Sequence, residues 1–226
     1  MNLLRNMVYC ILLAALLISS LADGATLQVS SDLQSAIDAA SSGDTLEVAS
    51  GLYDKITVEK SLTLMGNGAV IRAGGRDACI AISADNVTIS GFLVEKGFYG
   101  IKLDHVRGCN ISNNTVIYCA QPGIALLYSD KNIISGNNAS FNGIVGEGWY
   151  GIYLSNSNHN LIADNQAYGN GAYGINPVSY THLTLPTIYS VSISVVAASF
   201  TKKTNNNYQP HIAKADVTAK KASHIQ

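Results

Sequence analysis

The chain has 226 residues, with 14 Lys and Arg against 15 Asp and Glu and a formal net charge of -1. That balance offers no basic field for nucleic acid, so this partner class is excluded first. With 47% hydrophobic and 13% charged residues the chain is not a disordered one, and its 20 glycines suit short strands joined by tight turns.

Met1 to Ala25 reads as a signal peptide. Arg5 supplies the positive end, Met7 to Leu21 the apolar core, and Ser20-Leu21-Ala22 the small residues a signal peptidase recognises. Fifteen apolar residues span ~22 Å as a helix, short of the ~30 Å hydrocarbon layer, so removal is favoured over anchoring. Export is therefore expected, with membrane contact only through an uncleaved leader. Beyond it stand Cys79, Cys109 and Cys119, and their spacing identifies neither a disulfide nor a zinc site. Inward-facing thiols are the expectation.

Thr26 to Val29 reads as a strand. Ser30 or Ser31 is placed to cap a helix from Asp32 to Ala40, in which Leu33, Ile37 and Ala40 recur at helical spacing, and Gly43 suits its C-terminal turn. Such a helix would cover the first coil of a stack. Short alternating runs follow: Thr45 to Val48, Lys55 to Val58, Ser61 to Leu64 and Ala69 to Ile71. They lie too close together for the helical crossovers of βαβ units.

From Asn86 to Ile175 one phrase recurs. Ile89, Ile111, Ile134 and Ile162 step by 22, 23 and 28 residues, and Gly100-Ile101, Gly123-Ile124, Gly151-Ile152 and Gly174-Ile175 step by 23, 28 and 23. Both markers report one period with one five-residue insertion, which predicts a stacked solenoid. The fold class expected is all-β, a right-handed parallel β-helix of about six coils, the hand following the general preference for right-handed crossovers.

Leu33-Gln-Ser-Ala-Ile-Asp-Ala-Ala40, Gly43 to Val48, Gly51-Leu-Tyr53, Val58 to Leu64 and Val70-Ile71 resemble the opening of NosD-type secreted proteins with parallel β-helix repeats. The later Asn-x-Ile-Ser-Gly-Asn and Gly-Ile-x-Leu phrases are similar to that family's repeat. The resemblance implies the pectin-lyase-like fold over Thr26 to about Pro177. This scaffold carries lyases, hydrolases, binding modules and surface-layer proteins, so it implies no single activity. The expected domains are 1–25, 26–177 and a non-repeat tail, 178–226. The tail turns basic, with five Lys and one Asp against eight basic and thirteen acidic residues in 26–177, and it resembles non-native sequence fused to a truncated frame.

The candidate residues fall in three groups. Asn110, Asn132 and Asn160 precede the aligned isoleucines, and Asn114, Asn137 and Asn165 follow them, as expected of a structural ladder. Asn86, Asn110, Asn113 and Asn138 also fit glycosylation signals. Tyr99, Tyr150 and Tyr173 precede Gly-Ile, with Pro122 at the missing rung, and could stack on sugar rings or shield the turn. The insertion, Phe141 to Tyr150, carries the only Trp, and a solenoid insertion projects as a loop on one face. Glycan binding is thus expected at Trp149, Tyr150 and Glu147, flanked by Tyr99 and Tyr173.

Asp104, Asp130, Asp164 and Glu147, with Lys102 and Arg107, are the candidates for lyase or hydrolase chemistry. Alignment of the coils places Leu127 and Ser155 opposite Asp104, which gives no column of paired acids. Calcium would enter only in a lyase. The NosD resemblance also implies an accessory role in copper-centre maturation. After the leader, however, the soft donors are Met65, isolated His105 and His159, and His182, His211 and His224 in the tail, so no metal site is expected. The reading is an exported surface or periplasmic module, monomeric, without cofactor, structural or carbohydrate-binding, with a lyase or hydrolase fragment as the alternative.

Overall fold

The computed structural model describes residues 24–143 and 149–178. Nearly all of the expected leader and of the tail, and Glu147, lie outside the described residues. Within them the chain is a parallel β-helix of about six coils, built from three parallel sheets. The seven-stranded sheet begins with Thr26–Val29 and ends with Leu161–Ala163. A six-stranded sheet runs from Ile56–Val58 to Ile175–Val178, and a four-stranded one from Gly51–Tyr53 to Thr115–Ile117. Single bridges at Asn138 and Gln166 continue the last sheet.

Strand pairing carries out both repeats read from the sequence. Leu64, Ile89, Ile111, Ile134 and Ile162 occupy one rung position on successive coils and point into the core. Each such side chain contributes roughly 1.5–3 kcal/mol through burial. Ile80, Ile101, Ile124, Ile152 and Ile175 form the second column. The glycine before Ile101, Ile124, Ile152 and Ile175 lets adjacent coils close. A Cβ at Gly123 would lie 2.9 Å from Gly151 O, and one at Gly151 would lie 2.7 Å from Gly174 O.

Where the sheets stop, four corners repeat. At each, a residue of positive φ turns the chain and the next side chain enters the interior. Asn113, Gly136 and Asp164 (φ 55°, 64° and 54°) precede Asn114, Asn137 and Asn165. The Asn132 and Asn160 corner turns at Lys131 and His159. In both columns the Asn Oδ1 accepts a backbone N–H from the coil before, and Nδ2 donates to a carbonyl of that coil. Asn137 accepts from Asn114 N at 3.0 Å and donates to Ile111 O at 2.8 Å. Asn160 accepts from Asn132 N and donates to Ser129 O.

Asn110 does not belong to this ladder. It pairs with Thr88 and Ile133 on an outer strand position, its Oδ1 has no hydrogen-bond partner, and Cys109 occupies the rung below Asn132. The offset arises because Asn110 falls one residue before its isoleucine whereas Asn132 and Asn160 fall two before theirs. A third Asn column, Asn142 and Asn170, repeats the same bonding at another corner, and at the fourth Ser129 and Ser157 accept an N–H from the coil before but donate to Leu127 O and Ser155 O of their own coil.

The expected cap is a helix over Leu33–Ala39, named α1 here. Its N-cap is Asp32 rather than Ser30 or Ser31: the Asp32 carboxylate accepts Ser35 N at 3.0 Å. A carboxylate at the cap also faces the positive helix end, which a serine does not match in charge. Gln34 of α1 bonds both Thr57 N and Thr57 O, so one side-chain amide covers the edge of the six-stranded sheet.

Asn137→Ala leaves the Asn114 N–H and Ile111 carbonyl buried without partners. Its expected cost in denaturant unfolding is about 3–5 kcal/mol, against less than about 1 kcal/mol for Asn110→Ala. Equal losses would contradict the assignment of the ladder.

Candidate aromatic site on the long coil

The turn entering the six-stranded sheet brings the aromatic residues together. Tyr99, Pro122, Tyr150 and Tyr173 hold one position on consecutive coils, each carbonyl accepting from the coil before. Tyr150 lies between two neighbours: Tyr173 at 6.0 Å and 5° between planes, and Tyr153 at 5.4 Å and 12°. Trp149 meets Tyr150 edge to face at 6.0 Å. Tyr99 stands apart. Pro122 separates it from Tyr150 by two coil spacings, ~10 Å, and it packs on Phe98 at 5.3 Å.

Stacking uses up ring faces. Tyr150 is stacked with both Tyr153 and Tyr173, and Tyr173 is 39% exposed. The tyrosines act as the support that holds Trp149. Tyr153 was not singled out in the sequence because it lies inside a strand, two residues after Gly151. A second aromatic run, Tyr118, Phe141 and Tyr168, lines the opposite end of the same turn. Its signal was present at the same spacing, in Cys119, Asn142 and Asn170, which each follow a corner residue.

The polar candidates do not converge. Asp104 accepts from Lys102 Nζ at 2.7 Å and contacts His105 Nδ1 at 2.6 Å, and His105 stacks on Tyr128. Hydrogen bonding from Lys102, then from His105, holds the Asp104 carboxyl below its ordinary value of 3.8 against the opposing effect of burial. Asp104 is in register with Leu127 and, one coil on, Ser155. Asp130 closes another turn by accepting Asn158 N at 2.6 Å, Arg107 N bonds Asp85, and Asp164 is an exposed corner residue. Among the described residues no three His, Cys, Asp or Glu side chains gather to hold a metal ion. No described helix is long and apolar enough to cross a membrane.

The buried Cys79 and Cys119 thiols donate to Glu95 O and Ile117 O; hydrogen bonding from Cys119 pulls Cys79 down, and the same interaction with burial pushes Cys119 well up. Both are free thiols.

Residues 37–209 match the profile of the family described as periplasmic copper-binding protein (NosD). The chain belongs to the NosD family. A stretch of 89 residues is 44% identical to a cell surface glycoprotein of Methanothermus fervidus, covering 37% of this chain and 15% of that protein. The alginate lyase of Paenibacillus sp. str. FPU-7 superposes with a TM-score of 0.58 at 20% identity, over 70% of this chain and 66% of that one. That likeness establishes the pectin-lyase-like fold.

A carboxyl depressed in the folded state stabilises above its unfolded value and loses that contribution as pH falls through the folded one. Wild type should therefore lose stability relative to Asp104→Asn as pH falls below the ordinary carboxyl value of 3.8. The difference should stay below about 1 kcal/mol, because the pair is partly exposed and screened. Parallel pH profiles in thermal melts would contradict the pairing.

Proposed function

We propose that this NosD-family chain is an exported cell-surface β-helix module that grips a polysaccharide or cell-surface glycan along the aromatic edge of its 28-residue coil. Trp149 is the contact, Tyr150 in its stack with Tyr153 and Tyr173 holds it in place, Glu147 contributes the acid of the same insertion, and Tyr99 is an outlying contributor. The observation that carries this reading is the Tyr153–Tyr150–Tyr173 stack with Trp149 edge-on, located on the one coil that breaks the period. Sugar rings present apolar C–H faces that stack on indole, and the flanking hydroxyls meet polar groups. The matched surface glycoprotein and the leader expected at Met1 to Ala25 both support export. The reading requires no cofactor, no nucleic acid and no second subunit.

A lyase or hydrolase has one supporting observation, the Lys102–Asp104–His105 cluster on the outer side of the six-stranded sheet. It places one acid where glycosidic hydrolysis uses two, so binding is the preferred reading.

A glycan array tests it. Wild type should retain a defined set of polysaccharides. Trp149→Ala should weaken that set at least about tenfold, ~1.4 kcal/mol, the scale of one lost aromatic contact. Tyr150→Phe keeps the stack and should bind as wild type. Equal binding by wild type and Trp149→Ala, or none by either, would remove the proposal.

A further inference from the structure

Asn86, Asn110, Asn113 and Asn138 each begin an Asn-x-Ser/Thr phrase, and the fold divides them into two pairs. Asn86 and Asn113 are exposed corner residues with φ of 57° and 55°, a conformation asparagine tolerates better than most side chains. Asn110 and Asn138 sit in sheet positions with a neighbour on either side, Thr88 and Ile133 for the first, Thr115 and Gln166 for the second.

Side-chain geometry widens the difference. A Cβ on Gly108 would lie 2.4 Å from Asn86 Oδ1 and 3.5 Å from its Cγ, and one on Gly136 would lie 2.7 Å and 3.7 Å from the same atoms of Asn113. Each carboxamide therefore rests its oxygen on a glycine of the next coil and turns Nδ2 away from it. Among the described residues no hydrogen bond engages either Nδ2. The hydroxyl residues of these two phrases, Thr88 and Thr115, lie half-buried on outer sheet faces, each followed by an inward residue, Ile89 or Val116. The other pair is committed to the fold. Asn110 Oδ1 is buried, Asn138 Oδ1 accepts Ser140 Oγ at 2.6 Å, and Ser140 is itself buried.

Placement gives the exposed pair a shared surface. Asn86 precedes Thr88–Ser90 and Asn113 follows Asn110–Ser112, which are adjacent strands of the seven-stranded sheet. The two free amides thus stand at opposite ends of one outer face. Met65 and Ile133 are exposed apolar side chains of that face, and a bulky hydrophilic group at each end shields them from association. The Trp149 turn enters a different sheet and stays open.

We propose that Asn86 and Asn113 are N-glycosylated, and that Asn110 and Asn138 are not, by a transferase using an oligosaccharide linked to a lipid phosphate. Asn Nδ2 bonds to the anomeric carbon of the sugar, and the bond from that carbon to the donor's phosphate oxygen breaks. The phosphate leaves with the electron pair and the amide releases one proton, so no oxidant or reductant is consumed. The assignment rests on the export in the proposed function and is independent of the glycan grip at Trp149.

The test expresses the full chain in a cell that carries a transferase for Asn-x-Ser/Thr, and maps the exported protein by glycopeptide mass spectrometry. Wild type should carry glycan at Asn86 and Asn113 and none at Asn110 or Asn138. Thr88→Val and Thr115→Val remove the hydroxyl but keep a β-branched strand residue. Each should lose one glycan mass, and the double variant both, with circular dichroism unchanged. Should the leader not export the chain, the purified full chain is offered to the transferase and a lipid-linked donor in vitro, where the same pattern is expected. That arm separates a failure of export from a failure of the assignment. An unmodified Asn86 or Asn113 in wild type, glycan on Asn110 or Asn138, or glycan retained by the double variant would each overturn the proposal.

Discussion

Three sheets cannot enclose a core without corners, and at a corner the backbone leaves the sheet ladder while remaining inside the protein. Each N–H and C=O stranded there costs about 1–3 kcal/mol if unpaired, and a stack of coils multiplies the cost. Here, at three of the four corners, one asparagine removes it by bonding both an N–H and a C=O of the preceding coil, as Asn137 does with Asn114 N and Ile111 O. Two of the Asn columns start from a cysteine rung, Cys109 or Cys119, and the third from Phe92, whose N–H bonds Asn114. The early coils thus fill their corners with apolar or sulfur side chains, and the later coils with amides. Register follows from this, because slipping one residue would put each asparagine outside and strand its partners.

A structure so fully occupied by its own backbone has few places for chemistry. Every regular rung is already bonded to the next, and a residue repeated coil after coil marks no single point. The departures carry the function. At the 28-residue coil the aromatic position gains Trp149 and a stacked support from Tyr153 and Tyr173. At the third coil Gly97 and Gly100 replace side chains, and the Cys79 and Cys119 thiols occupy the space they leave. Both departures belong to the same turn, the one that enters the six-stranded sheet.

Much of the fold could be read from the chain because a parallel stack translates sequence period directly into spatial adjacency. The steps between Ile89, Ile111, Ile134 and Ile162 are the strand register itself. What failed was position within the rung. Asn110 and Asn132 look equivalent in phrase but differ by one residue, and in a strand one residue exchanges inside for outside. Helix capping failed for a similar reason, since Ser30, Ser31 and Asp32 are adjacent and only the turn geometry selects one. The site was legible as far as Trp149, Tyr150 and Tyr173 lie on one edge, but not in which ring faces are already taken. The packing of Cys79 and Cys119 was illegible, because it depends on the absence of side chains at Gly97 and Gly100 of the neighbouring coil.

Trp149 is the single tryptophan of the chain, which makes it a direct reporter of the proposed contact. Its fluorescence, followed as an array-selected polysaccharide is titrated into the full-length protein, should shift to shorter wavelength and saturate as the sugar excludes water from the indole. An emission spectrum unchanged at saturating glycan would place the binding surface elsewhere and contradict the assignment of this coil.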